Sequence, residues 1–248
     1  MRLDKVLEQE GFGSRKTVKR LFQMKQVSVD GISVIDGSQN VDPALHTIVV
    51  NKQKICQGNH VYYMLNKPKE VVTAVKDQQH QTVIDLIDKK DQTQKLFPVG
   101  RLDRDTEGLL LLTDNGQLAY QLLHPQKKVI KEYEVVVNEC LTEIDCESFR
   151  KGIIFHGGTR CQPAELKILS AREGKSRAIL AIEEGKFHQV KKMFLAVGKK
   201  VIYLKRISMG PLVLDPYLAI GAYRSLNQLE LEALRPYFVP HKKEISEG

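Results

Sequence analysis

The chain has 248 residues, enough for one large domain or a small domain followed by a medium one. Hydrophobic residues make up 42% and charged residues 27%, a balance that argues against disorder and allows a core to form without disulfides. Lys and Arg exceed Asp and Glu by eight, which favours a polyanionic partner, because each cation set against a phosphate releases a condensed counterion.

Leu3, Val6 and Leu7 stand at i, i+3 and i+4 and predict a first helix, broken at Gly11 and Gly13. Ser14 suits the N-cap of a second helix, in which Val18, Leu21 and Phe22 repeat the spacing. Arg15, Lys16, Lys19, Arg20 and Lys25 share that helix with no acidic residue between positions 14 and 26. A solvated face is the ordinary reading of such a run, but charges of one sign along a helix repel unless an anion is near. Val27-Ser28-Val29 alternates as a strand and closes on an Asp30-Gly31 turn, with further short strands through Val41 and residues 48–50. Two short helices, the second basic after Ser-Arg-Lys, followed by a Val-x-Val-x-Gly strand, resemble the S4 RNA-binding domain over about residues 1–50.

Gln57-Gly58-Asn59-His60 is polar and turn-prone and marks a linker. Beyond it the spacing predicts a strand over 61–65, a short helix or turn over 83–87, and a strand covered on both faces over 109–113. Asp114-Asn115-Gly116 then turns into a helix that stops before Pro125. A strand over 129–137, helices over 142–151 and 187–197, a strand over 201–204 and a last helix capped by Asn227 and running through Leu234 follow. This mixture predicts an α+β fold: a small α-β domain over 1–58, a domain over 60–238 with a mixed, mainly antiparallel sheet flanked by helices, and a mobile tail over 239–248.

Cys56, Cys140, Cys146 and Cys161 form no C-x-x-C pair and read as reduced thiols of a cytosolic protein. Met1-Arg2-Leu3-Asp4 lacks a signal-peptide core, and no apolar run is long enough to span a bilayer, so a cytoplasmic chain without a membrane partner is expected.

Three segments bear chemistry. In Gly100-Arg101-Leu102-Asp103-Arg104-Asp105-Thr106-Glu107-Gly108, three carboxylates lie two residues apart at the mouth of the apolar strand. They read as a cleft edge, as a metal-attracting face if extended, or as a turn held by salt bridges, with Arg101 and Arg104 offsetting a bare metal cluster. In Glu184-Gly185-Lys186-Phe187-His188-Gln189-Val190-Lys191-Lys192-Met193-Phe194, helical spacing flanks Lys191 with Phe187, Phe194 and Leu195, while Lys192 faces elsewhere. Lys191 then either meets a carboxylate or snorkels. In Lys131-Glu132-Tyr133-Glu134-Val135, alternation places Lys131, Tyr133 and Val135 on one face, where Tyr133 is core or stacks on an unpaired base.

Taken together in this order, the long GRLDRDTEGLLLLTDNG string, the K-x-Y of Lys131 and Tyr133, and the segment from Gly185 to Phe194 resemble the RsuA-type ribosomal RNA pseudouridine synthases over essentially the full chain. The resemblance implies isomerisation of one uridine to pseudouridine without a cofactor or metal. Asp103 is its catalytic carboxylate, Tyr133 the aromatic residue under the base, and Lys191 the partner of the aspartate. Arg101 would hold the loop and the displaced RNA, and Phe194 would pack beside the site. Arg15, Lys16, Lys19 and Arg20 would bind RNA. Phe187-His188-Gln189 is similar to enzymes acting on small-subunit (16S) rRNA, free or in an assembling subunit, rather than to the large-subunit (23S) relatives; a monomer is expected. Glu70 stands where the family has Gly, so a positive φ there would cost about 1 kcal/mol. Two other classes compete: an S4-type assembly factor without chemistry, and a Mg²⁺-dependent nuclease using Asp103, Asp105 and Glu107.

Overall fold

The computed structural model describes residues 1–55, 60–155 and 157–238. The linker residues 57–59, Cys56, His156 and the tail over 239–248 lie outside the described residues. Two compact units emerge, one formed by Met1–Val61 with Asn227–Gly248, the other by Tyr62–Leu226.

The first unit begins with α1 (Leu3–Gln9) and α2 (Arg15–Gln23), then β1 (Val27–Val29), β2 (Ile32–Ser33), β3 (Ile48–Val50) and β4 (Gln53–Ile55). Its sheet runs β2-β1-β3-β4, all antiparallel. Leu3, Val6 and Leu7 of α1 and Val18 and Phe22 of α2 bury against Val27, Ile48 and Val50, as the helical spacing dictates. Val41 joins that core but lies in no strand; its backbone N–H donates to the Met1 carbonyl at 2.7 Å.

The second unit contains β5 (Tyr62–Lys67), β6 (Phe97–Pro98), β7 (Glu107–Thr113), α3 (Gly116–Leu123), β8 (Lys131–Val137), α4 (Glu143–Lys151), β9 (Glu165–Arg172), β10 (Lys175–Ile182), α5 (Gln189–Ala196), β11 (Val201–Met209), β12 (Leu212–Val213) and β13 (Tyr223–Ser225). One sheet takes all nine strands, in the order β13-β5-β7-β11-β8-β10-β9, with β12 on β11 and β6 on β7. Every pairing is antiparallel except β7 with β11. The architecture is thus the mixed, mainly antiparallel α+β sheet with flanking helices that the patterning predicts. The whole of β7 is buried, with Leu109 to Leu112 fully so, which is why it reads as an unbroken apolar run. Residues 83–87 form turns rather than a helix.

Caps set the helix ends. The Asn115 side chain accepts from Gln117 N and Leu118 N and starts α3. Asp145 accepts from the Thr142 backbone N–H at 2.8 Å and starts α4. The helix placed over 187–197 begins two residues later, because His188 adopts φ 54°, ψ 33° and ends helical geometry on its N-terminal side.

The last helix, α6 (Gln228–Leu234), carries the expected Asn227 cap, but it groups with the first unit rather than with a domain spanning 60–238. Arg235, which follows the helix, makes contacts within that unit: its Nε donates to the Leu45 carbonyl at 2.6 Å and its Nη1 lies 3.4 Å from Asp30.

Candidate active site

The loop from Leu102 to Thr106 leads into the parallel edge of β7, and buried donors fix its backbone. Lys67, at the end of β5 and fully buried, aims its ammonium at the carbonyls of Pro68 (2.9 Å), Asp103 (3.2 Å), Arg104 (3.3 Å) and Thr106 (3.0 Å). Burial lowers its pKa to about 8, an effect the nearby Asp105 and Asp103 only partly offset. Thr73 Oγ1 donates to the Leu102 carbonyl at 2.7 Å, and Glu70 N donates to the Arg104 carbonyl at 2.9 Å. Glu70 takes the strained conformation its position raised, φ 65°, and its carboxylate pairs with Arg104 at 2.6 Å.

This frame leaves Asp103 a quarter exposed, with Oδ2 at 3.1 Å from Lys191 Nζ and Oδ1 at 3.6 Å from His188 Nε2. Lys191 also bonds Asp105 Oδ1 at 2.5 Å, so one ammonium holds two loop carboxylates. Burial acts to lower the Lys191 pKa, but hydrogen bonds to Asp105 and Asp103 outweigh it and raise the value. Burial likewise works against the Asp105 charge, and Lys191 overcomes it to hold that carboxyl below its ordinary range. Lys191 thus meets carboxylates rather than snorkelling to solvent. Phe187 and Leu195, which helical spacing sets beside it, are both exposed, and Phe187 precedes the start of α5 at Gln189.

Tyr133 and Lys131 share the buried face of β8 with Val135, as alternation requires, and Tyr133 pairs directly with Arg206 of β11. Lys131 donates to the Val129 carbonyl at 2.9 Å; burial and then Arg206 lower its pKa to about 8, with Glu183 opposing. Asp103, Tyr133, Lys131, Arg101 and Arg206 line one cleft of about 760 Å³, within the range of small-ligand sites. Arg101 is exposed at its edge. Phe194 is not among the lining residues: it is fully buried and packs on Phe149, centroids 4.9 Å apart. Lys192 does face elsewhere, over the rings of Phe187 and Phe155.

The three loop carboxylates do not converge. Glu107 lies in β7 and accepts from Tyr203 at 2.9 Å, while Asp103 and Asp105 turn to Lys191. Among the described residues no group of three His, Cys, Asp or Glu side chains is placed to hold a metal ion. Arg15, Lys16, Lys19 and Arg20 are all exposed along α2, in the other unit.

Lys67, Thr73 and Arg206 were not singled out from sequence. A lysine ending an apolar strand was the available signal for Lys67; nothing local distinguishes Arg206, buried by the sheet pairing alone.

A family model described as RNA pseudouridylate synthase matches residues 61–196, which contain the whole loop, Tyr133 and Lys191. The chain belongs to that family. It is an RNA pseudouridine synthase, an isomerase of the RsuA type. The RNA pseudouridine synthase YtzG of Bacillus subtilis (strain 168) is 44% identical over 94% of this chain and 98% of its own length. The ribosomal small subunit pseudouridine synthase A of Escherichia coli (strain K12) is 35% identical over 94% of this chain and all of its own. A crystal structure of a pseudouridylate synthase, 33% identical, superposes over 94% of this chain and 99% of that one with a TM-score of 0.66. No helix among the described residues is long and apolar enough to cross a membrane.

Proposed function

We propose that this synthase modifies one uridine of small-subunit (16S) rRNA, with Asp103 as its catalytic carboxylate, in the cytoplasm and as a monomer. The observation that carries the chemistry is the Asp103 carboxylate held 3.1 Å from Lys191 on the wall of a cleft it shares with the buried Tyr133. Support for the substrate comes from the relatives named for the ribosomal small subunit and from Phe187-His188-Gln189. The exposed basic face of α2, and the S4-like order of elements in its unit, support an RNA-binding role for Arg15, Lys16, Lys19 and Arg20.

The target uridine is turned out of its RNA context into the cleft. The N1–C1′ bond breaks, the base rotates while held, and C5 bonds to C1′. The C5 proton then leaves and N1 regains a proton, so atoms and oxidation state balance without a cofactor. Attack on the sugar, attack on the base and removal of a sugar proton all demand a carboxylate at the same place, backed by a cation and screened from water. Tyr133 lies under the base, Arg101 steadies the displaced strand, and Lys191 fixes the orientation of Asp103.

Mapping pseudouridine after incubation with unmodified 16S rRNA, 23S rRNA and assembling small subunits, with and without EDTA, tests this reading. One new pseudouridine in 16S rRNA that survives EDTA is expected. Modification of 23S rRNA alone would refute the substrate, and no product on any RNA would leave an S4-type binder. Asp103→Asn should cut turnover by about 10³-fold or more while RNA affinity stays near wild type.

A further inference from the structure

We propose that Phe187, braced by His188, is a stacking platform at the mouth of the cleft for a base adjacent to the target uridine, and so a residue that binds and positions the substrate strand whatever that base is. The proposal rests on the uridine-isomerising reading above and deepens it. Phe187 lines the cleft yet is 67% exposed, an unusual place for a large apolar ring when a core stands one turn away. Its orientation is set: the ring stacks on that of His188 with centroids 3.8 Å apart and planes 22° apart. His188 is itself fixed by its left-handed backbone at the start of α5 and by Asp103, 3.6 Å from its Nε2.

A continuous line of groups therefore runs from the carboxylate through His188 to an exposed aromatic ring, over which the Lys192 ammonium also lies. Only the His188 ring separates the Asp103 carboxylate from the Phe187 ring, a span that one nucleotide and its neighbour cover. The local charge suits a nucleic acid rather than an apolar peptide. Lys192 Nζ lies 5.0 Å from the Phe187 centroid, and Arg101 and Arg104 line the same cleft. Aromatic stacking tolerates any base, while the cations take the phosphates on either side. A ring already held in place loses little freedom on binding, which favours the bound state.

The test uses the full-length protein and short RNAs carrying the mapped uridine, each with one abasic nucleotide beside it. On unmodified RNA, Phe187→Ala should raise KM by roughly 5- to 100-fold with kcat nearly unchanged. Phe187→Trp should restore KM, and Phe187→Leu, apolar but without a π-face, should not. An abasic nucleotide at one neighbouring position should cost the wild type a similar factor and cost Phe187→Ala nothing more. A Phe187→Ala enzyme that matches wild type overturns the proposal, and so does an abasic penalty that persists undiminished in that variant. A defect confined to assembling subunits and absent on naked RNA also overturns it, since that points to a protein contact. Wild-type turnover on unmodified RNA is the control: its failure removes the substrate reading, whereas its success with a silent Phe187 removes only the platform.

Discussion

Lys67 shows how one side chain can hold a reactive loop without touching the reacting atoms. Its ammonium meets four carbonyls, three of them in the Asp103 loop; without it those of Asp103 and Arg104 keep the Thr106 and Glu70 backbone N–H groups, but those of Pro68 and Thr106 lose the lysine donor. Lys67→Met should lower unfolding stability by about 2 kcal/mol or more, since each buried acceptor left unmade costs about 1–3 kcal/mol. Its titration gives a second signature. With a folded pKa of about 8, below the ordinary lysine value of 10.5, the native state binds fewer protons than the unfolded chain between those limits. Stability from this group therefore rises with pH across that window, and the gap between wild type and Lys67→Met in urea melts should widen from pH 8 to pH 10. A constant gap would mean that Lys67 does not titrate there. Lys191 makes a different demand. Lys191→Met frees Asp103 and Asp105 to repel each other and should reduce turnover by about 10²-fold or more, whereas Lys192→Met should change kcat by less than about threefold. Equal losses in single-turnover assays would discredit the Lys191 bridge. At this scale the sequence was half legible. The motifs singled out Asp103, Lys191 and Tyr133, and the fold brings Asp103 to Lys191 and into one cleft with Tyr133, whereas the packing of Phe194 on Phe149 rests on a contact between two helices that local spacing does not encode.

Between residues and the whole lie the elements, and there the apolar patterns spoke most clearly. The unbroken leucines of β7 predicted a strand covered on both faces, and alternation in β8 sorted Tyr133 from its glutamate neighbours. Helix starts were less legible, because a left-handed residue such as His188 carries no periodic signal. The join between β7 and β11 offers a sharp test. Gly108, at φ 103°, sits opposite Arg206 in the only parallel pairing of the described sheet. A Cβ there would lie inside the contact distance of the Arg206 carbonyl oxygen and 2.8 Å from its nitrogen. Backbone cannot swing away as a side-chain tip can, so Gly108→Ala should cost about 3 kcal/mol or more, read as a fall in the urea midpoint. Glu70 is the converse case. Its strained φ is tolerated beside an exposed pair with Arg104, and such pairs are worth about 0–1 kcal/mol. Glu70→Gly relieves the strain, loses the pair and loosens the unfolded chain, so stability should stay within about 1 kcal/mol of wild type. Glu70→Ala keeps the strain and loses the pair, and should be the less stable of the two.

For the molecule as a whole, a two-part division with a polar linker was readable, but the return of α6 to the first unit was not. Asn227 announces a helix, yet the amphipathic face of seven residues cannot say which core receives it; Arg235 reaching Leu45 and Asp30 is a long-range fact. That return bears on how the basic helix should be tested. Deleting residues 1–58 would also strip α6 of its partners, so a loss of binding would have two explanations. Charge neutralisation on the exposed face of α2 avoids this, because Arg15, Lys16, Lys19 and Arg20 lie outside the core of Val18 and Phe22. Replacing all four with Gln should leave the melting midpoint nearly unchanged, or raise it slightly as like charges along the helix stop repelling. RNA affinity at low salt should fall at least about tenfold. The slope of log affinity against log salt should shrink by up to about 3, at roughly 0.7 to 0.9 for each phosphate no longer neutralised. With RNA saturating, kcat should not move, because the Asp103 cleft is built wholly from the second unit. An unchanged slope would show that α2 meets no phosphate, and a fall in kcat at saturation would show that the helix acts on the chemical step rather than on capture of the RNA.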